Sequence, residues 1–399
     1  MRCSRIGWPI LGVLVGLAVS ACGGAKAPPR PRTEVKAKML DTVPYPRIAM
    51  LWAPVRGDDS LVNHARHDLI LTGNWRLGLE PDRQPVGLAD GFTPESVQKA
   101  WQTLAELRRL NPHAVILCEL GFYEYRDDSL PADHPWWLRV NGARTQFWPG
   151  THRMNWYDPA YRAHVVRQTK ALQETGIDGV FYDNLRVDEP EPWKAFMKEV
   201  RAAVGDKFLI LVNAGCDIGG FDWLLPSING VMYESGWSHG RTEWDECIKT
   251  MRHNETLLRQ PRISVMERFE DTRDHAGWPT NPGRDALPPR DPPARRWSLC
   301  YALIVGDYYY LFSDSTSHRH DWYPEYDVKI GPPTEAGQRV SDHVWRRQYE
   351  KALVVVNLPG AKGPFTARVG RPARDAFTGE TGTEFAIPPG EGRILVAQP

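Results

Sequence analysis

The stretch IDGVFYDN, residues 177–184, decides how the rest of the chain is read. Ile177, Val180, Phe181 and Tyr182 make a continuous apolar run, as a strand covered on both faces requires, and the run ends in Asp183. No basic residue stands near that carboxylate until Arg186. Similar runs recur on both sides of it: RIAMLW (47–52), DLILT (68–72), AVILCE (114–119), FLILVN (208–213), GVMYE (230–234), ISVME (263–267) and YYYLFSD (308–314). Amphipathic helical stretches alternate with them. Thr93 and Pro94 open one in which Val97, Trp101 and Leu104 recur at helical spacing. Asp158 and Pro159 open a second, closed by Gly176. Trp193, Phe196, Val200 and Val204 mark one face of a third before Gly205, and further helices are expected over about 241–259 and 292–304. Eight such strands with helical connections predict an α/β fold, a (β/α)8 TIM barrel over residues 46–347. A doubly wound sheet shares the alternation, but LWAPVRGDDS after the first strand lacks its phosphate-binding glycine turn.

From about residue 348 the pattern changes. ALVVVNLPG, PFTARV, RDAFTGET and GRILVAQ are short strand candidates between Gly and Pro turns, which predicts a small antiparallel β-domain, sandwich-like, over 348–399. The other end is not part of the fold. Arg2 and Arg5, the apolar run IGWPILGVLVGLAV and VSAC resemble the bacterial lipoprotein signal, in which Cys22 becomes the lipidated first residue. An ordinary secretory signal with a chance cysteine is the alternative. Acyl chains on Cys22 would hold the protein to a membrane surface, facing outside the cytoplasm, and residues 23–45, rich in Gly, Pro and charge, read as a tether.

The 399 residues exceed what one small core can use, and their charges balance to a formal zero. No basic surplus or stripe is present, which excludes a nucleic-acid binder. The six cysteines include no CxxC pair, so neither a zinc site nor a disulfide framework is indicated, and Cys118 and Cys216 read as small core residues.

Chemistry in a barrel sits at the C-terminal ends of its strands. Read in order, these ends carry Glu119, Asp183, Asn213, Glu234, Glu267 and Asp314, with Asn74 past the second. Clustered carboxylates repel one another and lose hydration, so stability alone does not account for them. Asp183 ends its strand because the strand aims it into a cleft. Paired carboxylates across a cleft suit glycoside hydrolysis, one protonating the leaving oxygen while the other attacks or activates water. Asp183 is the expected nucleophile or base and Glu234 the expected acid. Glu267 is a rival acid, though Arg268 beside it also offers a structural ion pair, and Asp314 is a further catalytic or stabilising candidate. Glu119, Asn213, Asn74 and Tyr182 are expected at the substrate. Of sixteen tryptophans, Trp52, Trp75, Trp148, Trp156, Trp237 and Trp322 fall near strand ends or loops, and Trp75 and Trp237 are favoured for stacking on sugar rings. His318 and His320, in HRH, lack partners at a metal-ligand spacing and read as loop or rim residues, so no metal or other cofactor is expected.

DGVFYDN after a helix, the NGVMYE strand and the trailing β-domain resemble a group of barrel proteins classed as glycoside hydrolases. It includes the endo-α-1,4-polygalactosaminidase-like proteins and the hypothetical glycosyl hydrolase families, and the resemblance spans about 45–399. In related barrels such as the α-galactosidases the fourth strand carries the nucleophile and the sixth the acid/base, which implies Asp183 and Glu234. The α-amylase order, with the acid on the fifth strand, is not followed, because that strand ends in Asn213. The resemblance implies a polysaccharide or oligosaccharide substrate. The expected partners are that glycan and, through Cys22, a membrane, with the chain itself a monomer. A non-catalytic glycan-binding barrel and a carboxylate- or metal-dependent lyase or hydrolase are the alternatives.

Overall fold

The computed structural model describes residues 43–185, 187–215, 217–234, 243–269, 292–314 and 317–398. Cys22 with its signal, nearly all of the tether, Cys216 and Trp237 lie outside these residues. Eight parallel strands close into a barrel: β1 Arg47–Leu51, β2 Leu69–Thr72, β3 Val115–Leu120, β4 Gly179–Tyr182, β5 Leu209–Asn213, β6 Gly230–Glu234, β7 Val265–Phe269 and β8 Tyr309–Ser313. Each pairs with its sequence neighbour, and β1 pairs with β8 to remove the edge. All eight expected runs are strands of this barrel.

Their continuous apolar character has a direct cause. Leu51, Leu71, Leu117, Phe181, Leu211, Met232, Val265 and Leu311 fill the interior. Ile70, Ile116, Val180, Ile210, Val231, Met266 and Tyr310 face outward into a second core under the helices. Those helices are α1 Pro94–Leu110, α2 Pro159–Glu174, α3 Pro190–Val204, α4 Trp244–Leu257 and α5 Pro292–Val305. Thr93 and Asp158 cap α1 and α2 through their side chains, and each is followed by a proline at the first helical position. Among the described residues, the connection from β1 to β2 carries only the one-turn helix Leu61–His64, and that from β5 to β6 only the 3-10 turn Leu225–Ser227.

Polar residues just before four strands tie the barrel floor together. The backbone N–H groups of Ile48, Ile116, Ile210 and Val231 donate to Asp68, Asp178, Asn229 and Ser264 respectively. Asp178 is wholly buried and also takes a 2.7 Å bond from Arg108 on α1. Removing one member of a buried pair leaves an uncompensated charge. Asp178→Ala is therefore expected to lower unfolding stability by about 3–5 kcal/mol, read from urea denaturation.

The C-terminal unit is one six-stranded antiparallel sheet of β9 Gln338–Ser341, β10 Val344–Gln348, β11 Ala352–Asn357, β12 Phe365–Asp375, β13 Thr381–Ile387 and β14 Glu391–Ala397, in the order β9-β10-β11-β14-β12-β13. It begins at Gln338, ahead of the expected 348, because QRVS and VWRRQ show little apolar signal. One of its faces packs on α5, where Gly392 approaches so closely that a Cβ would lie 2.6 Å from Cys300 Sγ. Val355, Phe385, Ile387 and Leu395 belong to a separate small core. Between β3 and α2 lies an aromatic insert with two small two-stranded antiparallel sheets, pairing Glu124–Arg126 with Thr151–Arg153 and Arg139–Val140 with Ala143–Arg144. No helix among the described residues is long and apolar enough to cross a membrane.

Candidate active site

Strand alternation selects what enters the cleft. Two residues beyond the inward-facing Leu117, Phe181, Leu211, Met232 and Val265 stand Glu119, Asp183, Asn213, Glu234 and Glu267. Asn213 holds the centre of this ring. Its Nδ2 donates to Asp183 Oδ1 at 2.8 Å and to Glu234 Oε2 at 3.0 Å, while its Oδ1 accepts the Gly215 N–H at 2.7 Å. That backbone donor fixes which end of the amide faces the two carboxylates. Bonds of 2.8 and 3.0 Å to one nitrogen cap the separation of those oxygens at 5.8 Å.

Asp183 accepts two more bonds, from the Asn184 backbone N–H and Asn184 Nδ2, each 3.0 Å. Burial raises its carboxyl, opposed by these donors, by Asn213 and by the charge on His318. Among the described residues Glu234 takes its hydrogen bond from Asn213, and burial, with Glu267 and Asp183 nearby, pushes it up to about 7 against His318 and Asn213. Burial and Asp183 likewise push Glu119 to about 7, although Trp52 Nε1 donates to it at 2.6 Å. Glu124, from the insert, rises to about 8 for the same two reasons and accepts from Asn184 Nδ2.

Glu267 is fully buried and accepts from Ser313 Oγ at 2.6 Å and from His318 Nδ1 at 2.9 and 3.1 Å. Its partner is thus His318, while Arg268 points the other way, its guanidinium 5.7 Å from the Trp297 ring centroid. Burial alone would lower the His318 imidazole, but Glu267, Glu234 and Asp183 win and raise it to about 9. Trp52, Asn184 and His318 all border this ring with φ of 53°, 62° and 54°. Left-handed backbone at non-glycine residues is strained, and such strain gathers at functional sites.

Two expected site residues do not reach the cleft. Tyr182 is one residue out of phase with Phe181 and Asp183, so it faces the helices, where its hydroxyl bonds Thr169 Oγ1 at 2.6 Å. Asp314 follows the inward Ser313 and uses Oδ1 on Ser317 Oγ and the Arg319 N–H, bracing the loop after β8. Asn74 and Trp75 line a side cavity of about 190 Å³ that shares Glu119 with the cleft. Trp156 is buried against Phe122 and Tyr123, and Trp322 packs on His67. His318 was expected only at the rim; HRH in a polar loop gave no sign that its first histidine meets Glu267. Asn184 was visible in YDN, but its left-handed turn was not, and Glu124 belongs to an insert without strand periodicity.

One oxygen each of Glu234 and Glu267 and one nitrogen of His318 lie within 4.8 Å of one another, a spacing that could admit a cation. Glu267, however, already accepts from Ser313 and His318, which is the pairing of an anion with its own counter-ion.

Residues 121–353 match the Hypothetical glycosyl hydrolase family 15. The chain belongs to that family. No curated protein matches it. Among solved structures this glycosyl hydrolase is similar to an α-amylase of Geobacillus thermoleovorans (11% identity, TM-score 0.50, covering 90% of this chain and 98% of that one). It is also similar to a GH27 β-L-arabinopyranosidase of Geobacillus stearothermophilus (10%, 0.51, 90% and 99%) and to a cyclic α-maltosyl-(1→6)-maltose hydrolase of Arthrobacter globiformis (12%, 0.51, 93% and 97%). At these identities the likeness is one of fold. Membership of that family makes the chain a glycosidase, with carbohydrate as its class of substrate.

The buried ring gives this glycosyl hydrolase a stability that depends on pH. Folded Glu119, Glu124 and Glu234 keep protons that free glutamates release near 4.5, and folded His318 keeps one that a free histidine releases near 6.5. Stability from these protons is lost as pH rises through about 7 to 9. His67 and His320, lowered by burial, act oppositely but only below 6.5. The thermal midpoint is therefore expected to fall by about 5 °C between pH 6.5 and 9, measured by scanning calorimetry, and a rising curve would contradict the assignment.

Proposed function

We propose that this chain is a retaining glycoside hydrolase cleaving a polysaccharide outside the cytoplasm, with Asp183 as nucleophile and Glu234 as general acid and base. The observation that carries the reading is the single amide of Asn213 bridging both carboxylates. Retaining enzymes hold their carboxyls about 5–5.5 Å apart and inverting ones about 6.5–9.5 Å. The 5.8 Å cap on the bridged oxygens favours the first.

Glu234, pushed up to about 7, is largely protonated at mildly acidic pH and gives its proton to the leaving glycosidic oxygen. An Asp183 oxygen attacks the anomeric carbon as the bond to that oxygen breaks, forming a glycosyl ester. Esterification removes the Asp183 charge, one of the causes that raise Glu234. Glu234 is then a weaker acid-holder and a fit base: it takes a proton from water, whose oxygen attacks the anomeric carbon and frees Asp183. Asn213 and Asn184 favour the Asp183 anion before and after. The exposed Trp75 with Asn74 and Glu119 would hold a neighbouring sugar unit in the side cavity.

The basic start, apolar run and VSAC support anchoring through Cys22 at the cell envelope, with the enzyme acting as a monomer and without a cofactor. The test is reducing-end release from a panel of bacterial and environmental polysaccharides by the full chain in detergent, with and without EDTA. Release that survives EDTA, with the first-formed sugar keeping its anomeric configuration by NMR, is expected. An inverted product sinks the role of Asp183 as nucleophile, loss on chelation points to a metal-dependent enzyme, and an unsaturated product to a lyase. Binding without release would make the chain a glycan-binding protein.

A further inference from the structure

We propose that His318 is the positioning residue that sets the charge of this cleft: clamped by Glu267, its imidazolium keeps Asp183 ionised and limits how tightly Glu234 holds its proton. The inference rests on the roles just given to Asp183 and Glu234. The carboxylates facing the cleft are Glu119 from β3, Glu124 from the insert, Asp183 from β4, Glu234 from β6 and Glu267 from β7. Like charges this close cannot all ionise without a counter-charge.

His318 is built to supply it. Its Nδ1 meets both Glu267 oxygens, and one of its ring nitrogens lies within 4.8 Å of an oxygen of Glu234. Its ring packs 4.5 Å from Trp52 and 5.9 Å from Phe269, which keeps water from one side of the pair. The loop is fastened on both sides of it. Asp314 bonds Ser317 and Arg319, the His320 carbonyl accepts from the Arg56 N–H at 2.8 Å, and His320 Nε2 meets His67 Nε2 at 2.9 Å. On the same loop, burial holds His320 neutral, and Asp314 Oδ1 accepts from Ser317 Oγ and the Arg319 N–H. These anchors account for a histidine held at φ 54°. Glu267, engaged by Ser313 and His318, acts through His318 rather than on the sugar.

The test is His318→Asn, because asparagine accepts left-handed backbone and carries no charge. On the polysaccharide that the wild type hydrolyses, both limbs of the kcat/KM pH profile should move up by about 1 unit, since Asp183 and Glu234 each lose a cationic neighbour. His318→Lys should return them toward their wild-type positions. A residue that merely fills the loop would lower the rate and leave the limbs in place, which overturns the proposal. A second measurement needs neither variant nor substrate: the ¹³C-histidine-labelled wild type should retain an imidazolium resonance at pH 8, and its absence also overturns the proposal. Glu234→Gln separates the two readings. If that variant keeps full activity, the assignment of the acid fails; if it is inactive while His318→Asn leaves the profile unmoved, only the role of His318 fails.

Discussion

Asp183→Asn should reduce kcat/KM by about 10⁴-fold while leaving the fold intact, as loss of a nucleophile does in other hydrolases. The substitution is isosteric, but its amide nitrogen must face either Asn213 Nδ2 or Asn184 Nδ2, both of which now donate to this side chain. One donor is set against another, at a cost of about 1–3 kcal/mol if water cannot intervene. Against that, a buried carboxylate disappears, so at alkaline pH the variant should melt no earlier than the wild type. Stability retained with activity lost is the signature of a group kept for chemistry. Azide supplies the decisive control. In Asp183→Ala, which leaves room where the carboxylate stood, azide can enter and should restore turnover, giving a glycosyl azide of the configuration opposite to the substrate's. Full activity in Asp183→Asn would move the nucleophile elsewhere, to Glu119 first, because it faces the same cleft with Trp52 held against it.

The barrel was legible because its strands are covered on both faces, and such strands announce themselves as unbroken apolar runs. The acids at their ends were legible for the converse reason, since a carboxylate closing such a run has no structural excuse. What went wrong was phase. Nearness to a strand end points Tyr182 and Asp314 at the cleft, yet side chains alternate with period two. Counting from Leu311 inward gives Ser313 and not Asp314, just as counting from Phe181 gives Asp183 and not Tyr182. Trp52 stood among six tryptophans with nothing to show that its indole would meet Glu119 across two strands. His318 comes from a loop and Glu124 from the insert, and the position of each depends on contacts over tens of residues, such as His320 with His67 and Glu124 with Arg153. No local pattern carries that information.

Glu234→Gln should cost about 10²–10⁴-fold on a polysaccharide, whose leaving alkoxide needs the proton. On an aryl glycoside with an acidic phenol, bond cleavage needs no such help, and the loss should shift to the second step. The ester on Asp183 would then accumulate, lowering KM together with kcat and giving a burst of phenol. The variant should also lose the alkaline limb of the pH profile, because the group that rises to about 7 is gone. Glu267→Gln makes the comparison sharp. Its carboxylate is fully buried against Ser313 and His318, so this variant should keep an alkaline limb even where it slows the enzyme. If instead the limb vanishes in Glu267→Gln and persists in Glu234→Gln, the proton donor sits on β7, and the Asn213 bridge serves to orient Glu234 beside the reaction rather than within it.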